Sequence, residues 1–305
     1  MTARQRALLH LLVERYIQTQ APVPSAKLAE ALGLSPALAR YELIALEEEG
    51  LVRKPHASAG RIPTRKGYQQ YALSLLPPSP LPKETVASLA RAMEGSREPE
   101  LLLVKVASRL SGYPALLRLR YRKSPRVLEV HLSRLEGPAG GEVLAVAVLE
   151  GGRVREVRLP LEVQPETLSR AESLLRHFRL EAMPEPPFGL EGLFARLKQA
   201  LSREERLAYR EGLGLVLTEP EAEDSAFIKE VVAAFEGEEE EVLTPPGRVN
   251  LRIGEREGVS MVQMGLMGGE YLGELTLLGP LRMRYQEALA VAYSLGQVYT
   301  QVHAG

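Results

Sequence analysis

The chain has 305 residues, 45% of them hydrophobic and 25% charged, which suits a globular protein of more than one domain. It has no cysteine, which excludes disulfides, thiolate metal sites and cysteine nucleophiles. No apolar run reaches the roughly 20 residues that a membrane span needs. The start, MTARQRALLHLLVERY, is interrupted by Glu14 and Arg15 and lacks a small-residue cleavage site, so a signal peptide is not expected and a cytoplasmic location is. Asp224 is the only Asp and Asn250 the only Asn, while Arg outnumbers Lys. That balance suits a thermophile, and a high-GC genome would also produce the Arg excess. The net charge of −1 hides an asymmetry: residues 1–71 hold ten Lys and Arg against six Glu. Residues 51–66 hold five basic side chains (Arg53, Lys54, Arg61, Arg65, Lys66) and no acidic one, a local stripe suited to phosphate.

In chain order, residues 3–18 set Leu8, Leu9, Leu12, Tyr16 and Ile17 on one helical stripe, ended by Pro22 and Pro24. Ser25 reads as the N-cap of AKLAEAL, which Gly33 closes. Ser35 then caps a longer helix with Pro36 at its first position, running to Gly50. Short helix, tight turn and longer helix form the helix-turn-helix plan. At 100° per residue Ala39, Leu43 and Leu46 of the longer helix face inward, and Ala37, Arg40, Tyr41, Ile44 and Glu48 face outward. Arg40 can bond a guanine edge, and the apolar neighbours can meet thymine methyls. Taken alone, this helix fits a major-groove reader and an ordinary bundle helix with a solvated acidic end equally well.

The next segment, LVRKPHASAGRIPTRKGYQQY, reads as a basic hairpin: Leu51–Lys54 as one strand, 55–60 as the tip, Arg61–Ile62 as the return, and a helix from Thr64. A wing has this composition, with small tip residues allowing close approach and Arg53, Lys54, Arg61 and Lys66 meeting phosphates. A plain surface hairpin is the alternative. Helix-turn-helix and basic hairpin together favour DNA, and a winged helix used only for protein contact fits a basic, acid-free wing less well. The candidate DNA-contacting set is Ser35, Pro36, Ala37, Leu38, Arg40, Tyr41, Ile44, Arg53, Lys54, His56, Ser58, Gly60, Arg61 and Lys66.

Pro77, Pro78, Pro80 and Pro82 mark a stiff linker at 72–83. Residues 84–111 read as helical with a break at 95–99, and strands follow at LLRLRYR, RVLEVHLSRLEG, GEVLAVAVLEG and GRVREVRLPLE. Residues 165–235 read as helical apart from Pro184–Pro187. Strands resume at RVNLRIGE, VSMVQMGLM and YLGELTLLGP before a final helix from Met283 to Val302. Strands on both sides of a helical stretch suggest one α/β domain carrying an insertion.

Residues 4–71 resemble the N-terminal domain of the HrcA family, the heat-inducible transcription repressors of bacterial chaperone operons. The family's recognition helix reads Ser-Pro-Ala-Thr-Ile-Arg-Asn-Glu-Met and its wing Pro-His-Thr-Ser-Ala-Gly-Arg-Ile-Pro. Ser35, Pro36, Ala37, Arg40 and Glu42 match the first; Pro55, His56 and the run Ser58–Pro63 match the second. Departures fall at Leu38, Ala39, Tyr41 and Ala57, with Leu38 and Tyr41 beside the reading face. Near the C-terminus the family's Gly-Pro-x-Arg-Met stands at Gly279, Pro280, Arg282 and Met283, followed by Arg284 where Asp is usual. The resemblance implies an α+β multidomain chain: a winged helix-turn-helix at 1–71, the linker 72–83, a GAF-like α/β domain from 84–164 and 241–305, and an inserted, mainly helical dimerising domain at 165–240. It also implies a homodimer that binds an inverted-repeat operator in double-stranded DNA, with the chaperonin as a partner in regulation.

Nothing in the sequence points to an enzyme, a cofactor or a metal. There is no Walker A loop, G-x-S-x-G elbow or H-E-x-x-H, and His10, His56, His131, His177 and His303 are scattered. His10 reads as a helix-surface residue, and His56 as a DNA contact or a turn-packing residue. Gly265, Gly268-Gly269 and Gly273 read as hairpin turns in preference to a phosphate loop, and Glu236–Glu241 as a solvated acidic run. The rival from another class is a ligand-sensing winged-helix regulator using a pocket in the GAF-like domain.

Overall fold

A computed structural model describes residues 1–56, 58–121, 126–137, 140–201, 206–237 and 243–303. The chain divides into two compact units, one of residues 1–119 with 207–305 and one of residues 120–206.

The first unit opens with helices α1 (Ala3–Thr19), α2 (Ser25–Ala31) and α3 (Pro36–Glu48). Thr2 and Gln5 cap α1 reciprocally, and the Ser35 hydroxyl accepts from Leu38 N at 3.2 Å to start α3. Ser25 is not a cap: it is the first residue of α2, whose N-cap is Pro24 with no side-chain bond. Strands β1 (Val52–Arg53) and β2 (Ile62–Pro63) pair antiparallel, and α4 (Arg65–Ser74) follows. Thr64 ties this corner together, accepting from Gly67 N and donating to Gly50 O at 2.6 Å. Ala57 lies outside the described residues.

Beyond Pro77–Pro82 come α5 (Lys83–Glu94) and α6 (Pro99–Ser111), then a five-stranded sheet. Its members are β3 (Ala115–Tyr121), β8 (Arg206–Glu211), β9 (Val249–Arg256), β10 (Val259–Gly268) and β11 (Tyr271–Pro280), in the order β8-β3-β11-β10-β9. Alternation sends Val262, Leu275 and Leu277 to one apolar cluster and Met261 and Leu278 to another. Helix α10 (Tyr285–Val302) packs in the first, α9 (Ser225–Glu236) in the second. Gly268 pairs with Tyr271 at the β10–β11 turn, so the expected turn holds for Gly268-Gly269; Gly265 and Gly273 lie within the strands, which corrects the turn reading there. Within the Pro-rich stretch Leu81 N donates to Ser294 Oγ of α10 at 2.8 Å, and ahead of it Gln69 Nε2 of α4 donates to Ile253 O.

The second unit holds β4 (Arg126–Gly137), β5 (Gly140–Leu149), β6 (Val154–Leu159) and β7 (Arg176–Arg179) in the order β6-β5-β4-β7, all antiparallel. Helices α7 (Pro165–Leu174) and α8 (Glu191–Leu201) cover its core, where Val127, Val143, Ala147, Leu175 and Leu197 are fully buried.

This unit corrects the expected insertion. It spans 120–206 and carries its own sheet, in place of a mainly helical 165–240. Alternation marks a strand but not the sheet it joins, so β4–β6 pair in a sheet of their own and not in the one expected; β7 and β8 are too short to interrupt the helical reading of their surroundings. Residues 207–237 belong instead to the first unit, where Phe227, Val231 and Phe235 of α9 cover the sheet. Glu236 closes α9, and the rest of the acidic run, 238–241, lies outside the described residues.

Candidate nucleic-acid interface

Helix α3 separates into faces as a 3.6-residue period demands. Ala39, Leu43 and Leu46 are fully buried, while Pro36, Ala37, Arg40 and Glu48 are exposed. Tyr41 is 69% and Ile44 44% exposed, on a helix whose inner face is already filled. Leu38 is half-buried, with its N–H given to the Ser35 cap, so Ser35 shapes the helix end.

Two acidic side chains of α3 are met by arginines from other elements. Glu42 is buried and receives the Arg4 guanidinium from α1 at 3.1 Å; Glu47 receives Arg61 from beside β2 at 3.3 Å. The sequence reading missed both, although the periodicity carried the signal: Glu42 falls within about 60° of Ala39 and Leu46, and Glu47 about 40° from Leu43. With these carboxylates so engaged, the N-terminal half of α3 presents no acid on its exposed face.

In the hairpin, Arg53, Lys54, His56 and Ser58 are exposed, with His56 Nδ1 and Ser58 Oγ 3.1 Å apart. Lys66 is exposed, and its ammonium donates to the Glu49 carbonyl at 2.7 Å, closing the C-terminal end of α3. Arg65 joins Arg40, Arg53, Lys54 and Lys66 as exposed cations close in sequence to α3 and the hairpin.

Two residues of the expected DNA-contacting set are engaged by their own chain. The Arg61 side chain is only 5% exposed and ion-paired to Glu47, because the Arg61 backbone bridges Val23 (2.9 and 3.0 Å) and this holds the residue against the helices. Gly60 serves the same bridge: a Cβ there would stand 2.5 Å from the Val23 carbonyl carbon. The close approach it permits is to its own chain. Gly67 has a like role unread in the sequence, since a Cβ there would stand 2.1 Å from Leu51 O.

An open cleft of about 790 Å³ lies in the first unit between α1, α4, Ser79–Leu81 and the start of α10. Tyr71 and Glu14 line it, and burial together with Glu14 pushes the Tyr71 phenol up. Arg284 is there too, donating to Tyr113 Oη and to the Ser111 carbonyl. Among the described residues no three His, Asp or Glu side chains are placed to hold a metal, and no helix is long and apolar enough to cross a membrane.

Comparison with known proteins bears on both ends of the chain. Residues 1–60 match the family model described as LexA DNA binding domain, which covers α1 to α3 and the hairpin tip; residues 187–289 match that described as HrcA protein C terminal domain. The heat-inducible transcription repressor HrcA of Gloeobacter violaceus is 30% identical over 343 residues, covering 99% of this chain and 94% of that protein. Its counterpart in Moorella thermoacetica is 29% identical over 339 residues, covering 99% and 97%. A solved crystal structure of a hypothetical protein shares the fold, with a TM-score of 0.58 at 20% identity over 99% of this chain and 98% of that one. With an N-terminal DNA-binding domain and full-length likeness to these repressors, the chain belongs to the HrcA family.

Proposed function

We propose that the protein represses chaperone operons by binding, as a homodimer, an inverted-repeat operator in double-stranded DNA. Residues 1–71 act as a winged helix: the N-terminal half of α3 enters the major groove and the β1–β2 hairpin rests on the phosphate backbone. Membership of a family whose curated members are named heat-inducible transcription repressors supports the reading. The single observation that carries it is the outer face of α3. Ala37, Arg40, Tyr41 and Ile44 stand exposed and free of acid until Glu48, with Arg53 and Lys54 following in the hairpin. Arg40 reads a guanine edge, and Tyr41 and Ile44 meet thymine methyls.

The five-stranded sheet of the first unit is read as the GAF-like domain, and residues 120–206 as the dimerising insertion. The chaperonin is proposed to sustain the active repressor, so that heat, by drawing it away, lifts repression. Footprinting the full-length protein on the chaperone promoters of its source genome tests the central claim. The expected result is two protected half-sites related by a dyad, about one helical turn (roughly 34 Å) or a multiple apart. An asymmetric or absent footprint overturns it, and a monomer by sedimentation at the footprinting concentration overturns the homodimer.

A further inference from the structure

The Arg61 guanidinium sits in the most basic stretch of the chain, yet it is buried and faces a carboxylate of the reading helix. We propose that Arg61 and Glu47 form a latch that fixes α3 against the hairpin, so that Arg61 governs operator selection through the position of α3 and never touches phosphate. The inference rests on the DNA-binding reading above and assigns positioning roles within it.

Three features support it. The Arg61 side chain is 5% exposed, against 35% for Glu47, so the cation is the inner partner and cannot reach a backbone without leaving its site. Its Nε makes no hydrogen bond among the described residues, which leaves the Glu47 ion pair as the contact that meets the charge. The peptide of Arg61 is held on both sides by Val23, just before α2, and Gly60 is shaped to allow that approach. One residue therefore touches the α1–α2 connection through its backbone and α3 through its side chain, at the point where the hairpin returns. Arg4 and Glu42 make a second pair from α1 to the same helix, nearer its N-terminus. Helix α3 is thus held at two levels by carboxylates, Glu42 buried and Glu47 part-exposed, each met by an arginine from another element. A buried charge stripped of its partner leaves its site or distorts it, so loss of either partner should shift the helix.

The latch and a phosphate contact predict opposite signs for Glu47→Gln. Removing a negative charge beside DNA raises the attraction to phosphate, so a purely electrostatic role makes operator binding tighter. The latch makes it weaker, by about threefold to tenfold, because a displaced α3 loses aligned base contacts. Binding of the full-length protein to the footprinted operator and to a random duplex of equal length, followed by fluorescence anisotropy across a salt series, separates the two. Expected for Glu47→Gln and for Arg61→Met is a loss confined to the operator, with random-duplex affinity kept and the salt slope unchanged. The double variant should lose no more than either single one. A phosphate contact at Arg61 would lower the slope by about 1 in Arg61→Met and weaken both duplexes alike. That result, or a Glu47→Gln protein that binds the operator as tightly as the parent or tighter, overturns the latch. Equal loss on both duplexes, as an unfolded fraction would cause, also counts against it. If Arg61→Met does not fold, the isosteric Glu47→Gln at a part-exposed site carries the test. A parent protein that prefers no chaperone-promoter duplex fails the function reading, whereas a selective parent with an equally selective Glu47→Gln variant fails only the latch.

Discussion

Helix α3 and the hairpin after it are neighbours in sequence with similar charge density, yet their side chains are sorted by different rules. In α3 the period of the helix sorts them, and every residue placed inward or outward by that period lies where it should: Ala39, Leu43 and Leu46 inside, Ala37, Arg40, Tyr41, Ile44 and Glu48 outside. In the hairpin two two-residue strands flank a loop, so no period exists to sort Arg53 from Arg61. One is exposed and the other buried, and only contacts distant in sequence, with Val23 and Glu47, make the difference. A basic stripe is therefore a sum over roles. Part of it meets solvent, and part neutralises acids of the helix.

The largest effect tests the helical side of that contrast. Leu43 is fully buried among Leu8, Leu12 and Leu46 in one apolar cluster, and Leu43→Ala should destabilise the protein by about 2–5 kcal/mol. Urea unfolding followed by circular dichroism measures it. A loss below about 1 kcal/mol would mean that the inner face of α3 is not packed as described.

The same contrast marks what could be read in advance. The helices of the first seventy residues, the β9–β11 strands and α10 follow from apolar spacing and punctuation, because each is long enough to show its period. The site was legible on the apolar and outer faces of α3, but Glu42 and Glu47 were missed although the helical period carried their angles. It was illegible where a partner lay far along the chain. Arg4 lies 38 residues from Glu42, and nothing local predicts their contact. Sheet membership failed for the same reason: β4 to β6 have clear alternation, but which sheet they join is decided by pairing among themselves and with β7.

On the hairpin side, Gly60→Ala puts a methyl where the Val23 carbonyl already stands and should destabilise by about 1–3 kcal/mol. The strain lies at the Val23–Arg61 bridge, so hydrogen exchange at the Val23 and Arg61 amides should quicken more than at the amides of α1. Uniform quickening would show a general loss of stability, with no special role for the bridge.

Next come the two exposed classes of charge. Arg40→Ala should weaken operator binding by about 1–3 kcal/mol while leaving random-duplex binding and the melting temperature close to the parent's. Arg53→Gln and Lys54→Gln should weaken both duplexes alike and each reduce the salt slope by about 1. The comparison breaks if Arg40 behaves like Arg53, since that would make the outer face of α3 a second backbone contact.

The smallest effect concerns α1, where the period misjudged a polar residue. Placed at the helix surface by its spacing, His10 is half-buried, with its Nε2 2.6 Å from Ser74 Oγ and its ring edge-on to Tyr71 at 5.1 Å. The Ser74 hydroxyl also donates to the Tyr71 carbonyl, so the proton in the His10–Ser74 bond comes from Nε2. Burial lowers the imidazole pKa below 6.5 and Arg6 adds to this, while Glu14 opposes it. A group lowered on folding is protonated first in the unfolded chain. Its contribution to stability is complete above pH 6.5 and is lost as the pH falls through the folded pKa. His10→Gln keeps a donor towards Ser74 and removes the titration, so its stability should fall less steeply than the parent's between about pH 7 and 5. Matching slopes would return His10 to the solvent, and with it the claim that α4 buries this side of α1.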